Sequence, residues 1–141
     1  MANDFFTALR ISASGLAAES TRVNIATSNL TNAESTRGPN GEVYRRRDPV
    51  FEAESFSDTL DGALGVQGVK VSQIVEDQSP GRRVYSPGHP DADGDGFLTL
   101  PNVNPVHEVV NLMSAQGAYG NNATAIETLK TMAMHALEIA K

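Results

Sequence analysis

The segment Asp91-Ala92-Asp93-Gly94-Asp95-Gly96-Phe97-Leu98 has the residue types of a calcium loop. Carboxylates stand at loop positions one, three and five, glycine at six and an apolar residue at eight, the spacing that wraps oxygens around a hard cation. The twelfth position, where a bidentate Glu should supply two more oxygens, is Asn102, and Gly88-His89-Pro90 excludes an entering helix. An Asp/Gly turn is the preferred reading, and a calcium-binding interaction module over residues 91–102 is the alternative function. His107-Glu108-Val109-Val110-Asn111 falls one residue short of the zinc-hydrolase pattern, because Asn111 replaces the second imidazole and neither His89 nor His135 has a matching spacing. His107 and Glu108 are expected in the first turn of a helix, whose dipole favours negative charge there. No Gly-x-Ser-x-Gly elbow and no phosphate-cradling glycine loop occurs, and three histidines limit the supply of general bases. Arg45-Arg46-Arg47 beside Tyr44 could meet an anion, but Asp48, Glu52 and Glu54 favour a solvated or salt-bridged strand face, with an intersubunit contact as the other reading. No catalytic residue, metal or cofactor is expected.

Composition narrows the classes further. A length of 141 residues allows one domain with extended ends, and the 40% apolar content leans on Ala, Val, Leu and Met with no Trp or Cys, so the core should be thin. Without cysteine there is no disulfide, thiolate nucleophile or thiolate metal site. A net charge of −6 argues against nucleic acid. No apolar run approaches the roughly 20 residues that span a bilayer, so no membrane insertion is expected. The start Met1-Ala2-Asn3-Asp4-Phe5-Phe6 carries no basic region before an apolar stretch, so no cleavable signal is expected either.

These residues are positioned by three kinds of segment. Over residues 4–33, Leu9, Leu16, Val23 and Leu30 recur every seven, and Ile11, Ala18 and Ile25 form a second stripe on another face. The spacing predicts a helix capped by Asn3 or Asp4 and stopped near Asn32 by the cluster from Ser35 to Gly41. From Glu42 to Tyr85 the texture is β, with Val43-Tyr44, Val50-Phe51, Val69, Val71, Ile74-Val75 and Val84-Tyr85 separated by glycines, which predicts three or four short strands with a loop from Ala53 to Leu64. Pro87 to Pro105 reads as a loop, and Asn104 and Pro105 as the cap and first-turn proline of a helix from about Val106 to Ala140. Leu112, Tyr119, Ile126 and Ala133 recur every seven along it, with Leu129 beside them. The fold class is therefore α+β: long N- and C-terminal helices paired as an antiparallel coiled coil around a small β-rich insert. Residues 1–36 and 101–141 are the assembly helices and 37–100 the insert. Alanine-rich stripes bury little per turn, so the ends should order on assembly.

The stretch Ile11 to Ala33 resembles the N-terminal signature of the flagellar rod and hook family through its Gly15-Leu16, Arg22-x-Asn24 and Ser28-Asn29-Leu30-x-Asn32-Ala33 elements. Gly68-Val69-Lys70-Val71, Val84-Tyr85-x-Pro87-Gly88-His89-Pro90, Pro101-Asn102-Val103-Asn104-Pro105 and Met132-Ala133-Met134-x-Ala136-Leu137 agree with its proximal-rod branch. The resemblance covers nearly the whole chain. It implies a structural, non-enzymatic subunit of the periplasmic proximal rod, exported through the flagellar type III apparatus and polymerised into the shaft that carries torque from the membrane ring towards the hook. Its implied partners are copies of itself, other rod subunits, membrane-ring and rod-base adapter proteins, the export apparatus and the rod cap. The expected assembly interface is Leu9, Leu16, Val23, Leu30, Ile11, Ile25, Asn29 and Asn32 on the first helix and Leu112, Tyr119, Asn122, Ile126 and Leu129 on the second, with Leu9, Leu16, Val23 and Leu30 meeting Leu112, Tyr119, Ile126 and Ala133 and other subunits covering the remaining stripes. Where the family has Ser-x-x-Arg-x-Tyr-x-x-Asn, this chain has Ser114, Gly117, Tyr119 and Asn122, with a further glycine at 120. The arginine is lost, and the two glycines mark either a kink or a close approach of neighbouring backbones.

Overall fold

The first helix starts earlier than its expected caps. In the computed structural model, which describes residues 2–38, 41–55 and 67–139 with side chains from Phe5 onward, α1 spans Ala2–Thr31 and so takes Asn3 and Asp4 into its first turn. Its stop is made by side chains. Asn32 donates to Ser28 O through its backbone N at 3.1 Å and its Nδ2 at 2.8 Å, and Ser35 Oγ donates to Asn32 O at 2.9 Å. These bonds satisfy carbonyls that a helix end leaves without partners. The second helix begins at Pro105, one residue before its expected start near Val106. Asn104 Oδ1 accepts from Val106 N at 3.0 Å and His107 N at 3.4 Å, and Pro105 opens α2, Pro105–Ile139, at the position where a missing N–H matters least. Helical structure continues through Gly117 and Gly120.

Among the described residues four strands lie between the helices: β1 Arg47–Ser55, β2 Gln67–Glu76, β3 Arg82–Tyr85 and β4 Phe97–Leu100. β1 pairs with β2, and β3 with β4. The β3/β4 pair is antiparallel, with Arg82 opposite Leu100 and Tyr85 opposite Phe97. Three expectations change here. Val43-Tyr44 is irregular rather than a strand, because Tyr44 turns to hydrogen-bond α1. The 53–64 segment continues β1 as far as Ser55, and the rest of it lies outside the described residues. The 87–105 segment contains β4, whose alternation buries Leu98 and Leu100 and exposes Phe97 and Thr99; four residues among Pro, Gly and Asp were too short a period to detect. The fold is α+β, two long terminal helices with a small β insert.

Two compact units divide the chain. One comprises Met1–Thr21, Val50–Gln73 and Ser114–Lys141, the other Arg22–Pro49 and Ile74–Met113. In the first, Ala18, Gly68 and Ala115 are buried, and Val69 N donates to Ser14 Oγ at 3.2 Å. In the second, Ile25, Ala26, Ala33, Leu98, Leu100 and Pro101 are buried together with Asn29 and Glu108. The first core is built of small side chains and the second has few apolar members, so each is thin, and full burial of Leu98 and Leu100 is worth about 1.5–3 kcal/mol apiece.

The turn between β3 and β4 is organised by Asp93. Its Oδ1 accepts from Phe97 N at 2.8 Å and Asp95 N at 3.0 Å, and its Oδ2 accepts from Arg83 Nη2 at 2.8 Å, while Gly96 takes the left-handed φ of 80° that closes the loop. The Phe97 amide foremost, then the Asp95 amide and Arg83, hold the Asp93 carboxyl below its ordinary value. A depressed folded pKa adds stability above the unfolded pKa and loses it as pH falls through the folded one. Protection of the Phe97 and Asp95 amides is therefore expected to hold at neutral pH and fall in acid below the usual carboxylate range. Asp93→Asn should flatten that dependence in amide exchange followed against pH.

Candidate assembly interface

The end of α1 presents Asn29, only 1% exposed, to three segments at once. Its Nδ2 donates to Arg47 O at 2.8 Å and to Glu108 Oε2 at 3.1 Å, and its Oδ1 accepts from Tyr44 OH at 2.8 Å and Arg47 N at 3.0 Å. All four bonding positions of the amide are filled, the condition under which a buried polar side chain is tolerated. Glu108 is placed by the capped first turn of α2 and is equally buried. Its Oε1 accepts from Arg46 Nε at 2.7 Å, and Arg46 also pairs with Asp48. Burial by itself would lower the Arg46 pKa, but its hydrogen bonds to Glu108 and Asp48 prevail and raise it. Asn102 completes the arrangement: its Oδ1 accepts from Arg46 N at 2.9 Å and its Nδ2 donates to Asp77 O and Ser79 O.

Glu108 therefore has a different role from the one its position suggested. It belongs to the first turn of α2, yet it faces inward and pairs with Arg46 instead of meeting the helix dipole from solvent. Of the three arginines, Arg46 is the one drawn into the interior, while Arg47 pairs with Glu76 at 2.9 Å on the surface. Neither role was visible in the local pattern. Tyr44 and Asn102 were also missed, although both lie in short polar motifs between apolar runs.

The acidic loop is tied to protein donors. Asp91 accepts from Thr36 Oγ1 at 2.8 Å and pairs with Arg37 at 2.8 Å, and the Asp93 oxygens are taken up as described above. Among the described residues no group of three or more His, Asp or Glu side chains converges as a metal site. His107 is exposed and Glu108 faces away into the network.

In the other unit α1 and α2 approach closely. A Cβ on Gly15 would lie 2.9 Å from Asn122 Nδ2 and 3.1 Å from its Oδ1, so the glycine makes room for the amide. No such crowding surrounds Gly117 or Gly120, where an added Cβ meets nothing within 4 Å. Alanine normally stabilises a helix over glycine by about 0.5–1 kcal/mol. Gly117→Ala and Gly120→Ala should each show that gain in urea melts, whereas Gly15→Ala should show none until Asn122→Ala removes the obstruction.

The expected interface residues fall into groups by exposure. Leu9, Leu16, Val23, Leu30, Asn32, Leu112, Asn122, Ile126 and Leu129 are half-buried, Ile25 and Asn29 are buried, and Ile11 and Tyr119 are exposed. Val106, Val110 and Met113 on α2 are 60–70% exposed, an apolar surface that the seven-residue count passed over.

Two long helices that carry unspent apolar surface beside a small β insert define a protein built to join others. The family described as "Flagella basal body rod protein" matches residues 9–39, and that described as "Flagellar basal body rod FlgEFG protein C-terminal" matches residues 95–139, so both terminal segments are those of a structural rod subunit. The flagellar basal-body rod protein FlgC of Salmonella typhimurium is 42% identical, covering 92% of each chain. FlgC of Bacillus subtilis is 42% identical over 96% of this chain and 98% of its own, and FlgC of Borreliella burgdorferi 36% identical over 95% and 96%. The chain belongs to the FlgC family of flagellar basal-body rod proteins.

Proposed function

We propose that this rod subunit is non-enzymatic and works through assembly: α1 and α2 pair antiparallel as a coiled coil, and copies of the chain and other rod subunits cover the apolar stripes left outside. The strongest support is a matched offset. From the Gly15/Asn122 approach to the Asn29–Glu108 bond, α1 advances 14 residues and α2 goes back 14, two heptads on each helix. The same offset sets Ile11 against Ile126, Ala18 against Tyr119 and Ile25 against Leu112. In this arrangement the stripe facing α2 is Ile11, Ala18 and Ile25, and Leu9, Leu16, Val23 and Leu30 turn towards other neighbours. A shaft that grows by repeating one contact needs two different surfaces on each subunit, not one self-complementary patch. The Leu9/Leu16/Val23/Leu30 stripe and the exposed Val106, Val110 and Met113 are two such surfaces.

On this reading residues 1–36 and 101–141 carry assembly and residues 37–100 brace it. The chain occupies the periplasmic proximal rod, transmits torque towards the hook, and meets the membrane ring, its rod-base adapter, the export apparatus and the rod cap on the way to its place. No helix among the described residues is long and apolar enough to cross a membrane. Hydrogen exchange on the purified chain and on isolated basal bodies tests the reading. Protection over residues 4–33 and 106–139 should rise sharply in basal bodies; equal protection in the free chain would mean a closed domain and would sink the assembly mechanism.

A further inference from the structure

We infer that Asn29, Glu108 and Asn122 determine the register of the α1/α2 pair, an inference that rests on the coiled-coil reading above. The aliphatic positions alone choose a register weakly. Ile11, Ala18 and Ile25 on one side and Leu112, Tyr119, Ile126 and Ala133 on the other all recur every seven residues, so a slip of one heptad still sets apolar against apolar, Ile25 meeting Tyr119 in place of Leu112. The polar positions do not tolerate that slip. It would place Asn29 against Ala115 and take Glu108 away from it, parting two side chains that are each 1% exposed and joined at 3.1 Å. It would also bring Leu129 to Gly15, where Asn122 now sits within van der Waals reach.

A buried polar group in an apolar seam commonly lowers stability while selecting one alignment. Here the alignment has an external consequence, because it decides which residues of α1 and α2 face the neighbouring subunits. Asn29 and Glu108 act as positioning residues, and Asn122 with Gly15 supplies a second, independent point of reference.

Disulfide trapping in the full chain tests this directly, since the sequence contains no cysteine of its own. Two reporter pairs are needed, Ile25→Cys with Leu112→Cys for the present register and Ile25→Cys with Tyr119→Cys for the slipped one, each oxidised in the purified chain and in isolated basal bodies. With the polar residues intact, the first pair alone should close. In Asn29→Leu/Glu108→Leu, which removes both partners and leaves no orphaned carboxylate, the slipped pair should gain at least about tenfold in yield while helical circular dichroism is kept. Asn122→Leu should give the same change and serves if the double variant does not fold. Unchanged preference for Leu112 in both variants overturns the inference and leaves the coiled coil standing. Closure of neither pair with the polar residues intact removes the coiled coil, and the inference with it.

Discussion

Glu108→Ala is expected to lower the unfolding free energy by about 2–4 kcal/mol. Removing one member of a buried ion pair typically costs about 3–5 kcal/mol. The lower range applies because Arg46 is 22% exposed and keeps Asp48, whereas Asn29 loses an acceptor it cannot replace with water. Glu108→Gln retains an oxygen for Asn29 and should cost less. Glu127→Ala, an exposed carboxylate farther along α2, should stay within about 0.5 kcal/mol. Urea melts of the purified chain decide the matter: a Glu108→Ala midpoint no lower than that of Glu127→Ala would show that the buried network contributes nothing net.

Gly81→Ala is expected to cost about 2–3 kcal/mol, at the upper end of overpacking effects. Its Cβ would overlap the carbonyl oxygen of Leu100 and lie 3.0 Å from Thr99 Cγ2. The obstacle at Gly15 is an amide that can rotate, but the obstacle here is the backbone of β4, and β3 and β4 must part to admit the methyl. Amide exchange should accelerate across residues 82–85 and 97–100 while exchange in α1 is unchanged by the substitution. Gly88→Ala, with nothing within 4 Å of the added atom, is the control and should be close to neutral.

The long helices were legible because each repeats its signal over many turns and carries explicit punctuation. Asn104-Pro105 predicted the start of α2 to within about a residue, and Asn32 lies immediately past the last residue of α1. The family was legible for a related reason, since its motifs are spread in order along the chain. What could not be read were facts of long-range pairing. Arg46 and Arg47 have the same composition around them, and only the fold sends one inward to Glu108 and the other outward to Glu76. Glu108 fits a solvated helix start as well as a buried one until Asn29, 79 residues away in the chain, is brought beside it. Strand β4 was missed because Leu98 and Leu100 offer two inward positions, too few to establish an alternation. Both first-helix stripes were seen and the sequence reading set Leu9, Leu16, Val23 and Leu30 against α2, but periodicity alone gives no physical ground for choosing between two apolar faces.

The charges of this protein divide by their sensitivity to the surrounding medium. Arg47–Glu76 and Lys70–Glu52 are pairs of half-open side chains, each worth about 0.2–1 kcal/mol and weakened by added salt. The Arg46–Glu108 pair is held at 1% exposure on its acidic side and is screened far less. A rise in ionic strength would therefore loosen the surface pairs of β1 and β2 while the contact between the α1 end and the α2 start stays nearly constant.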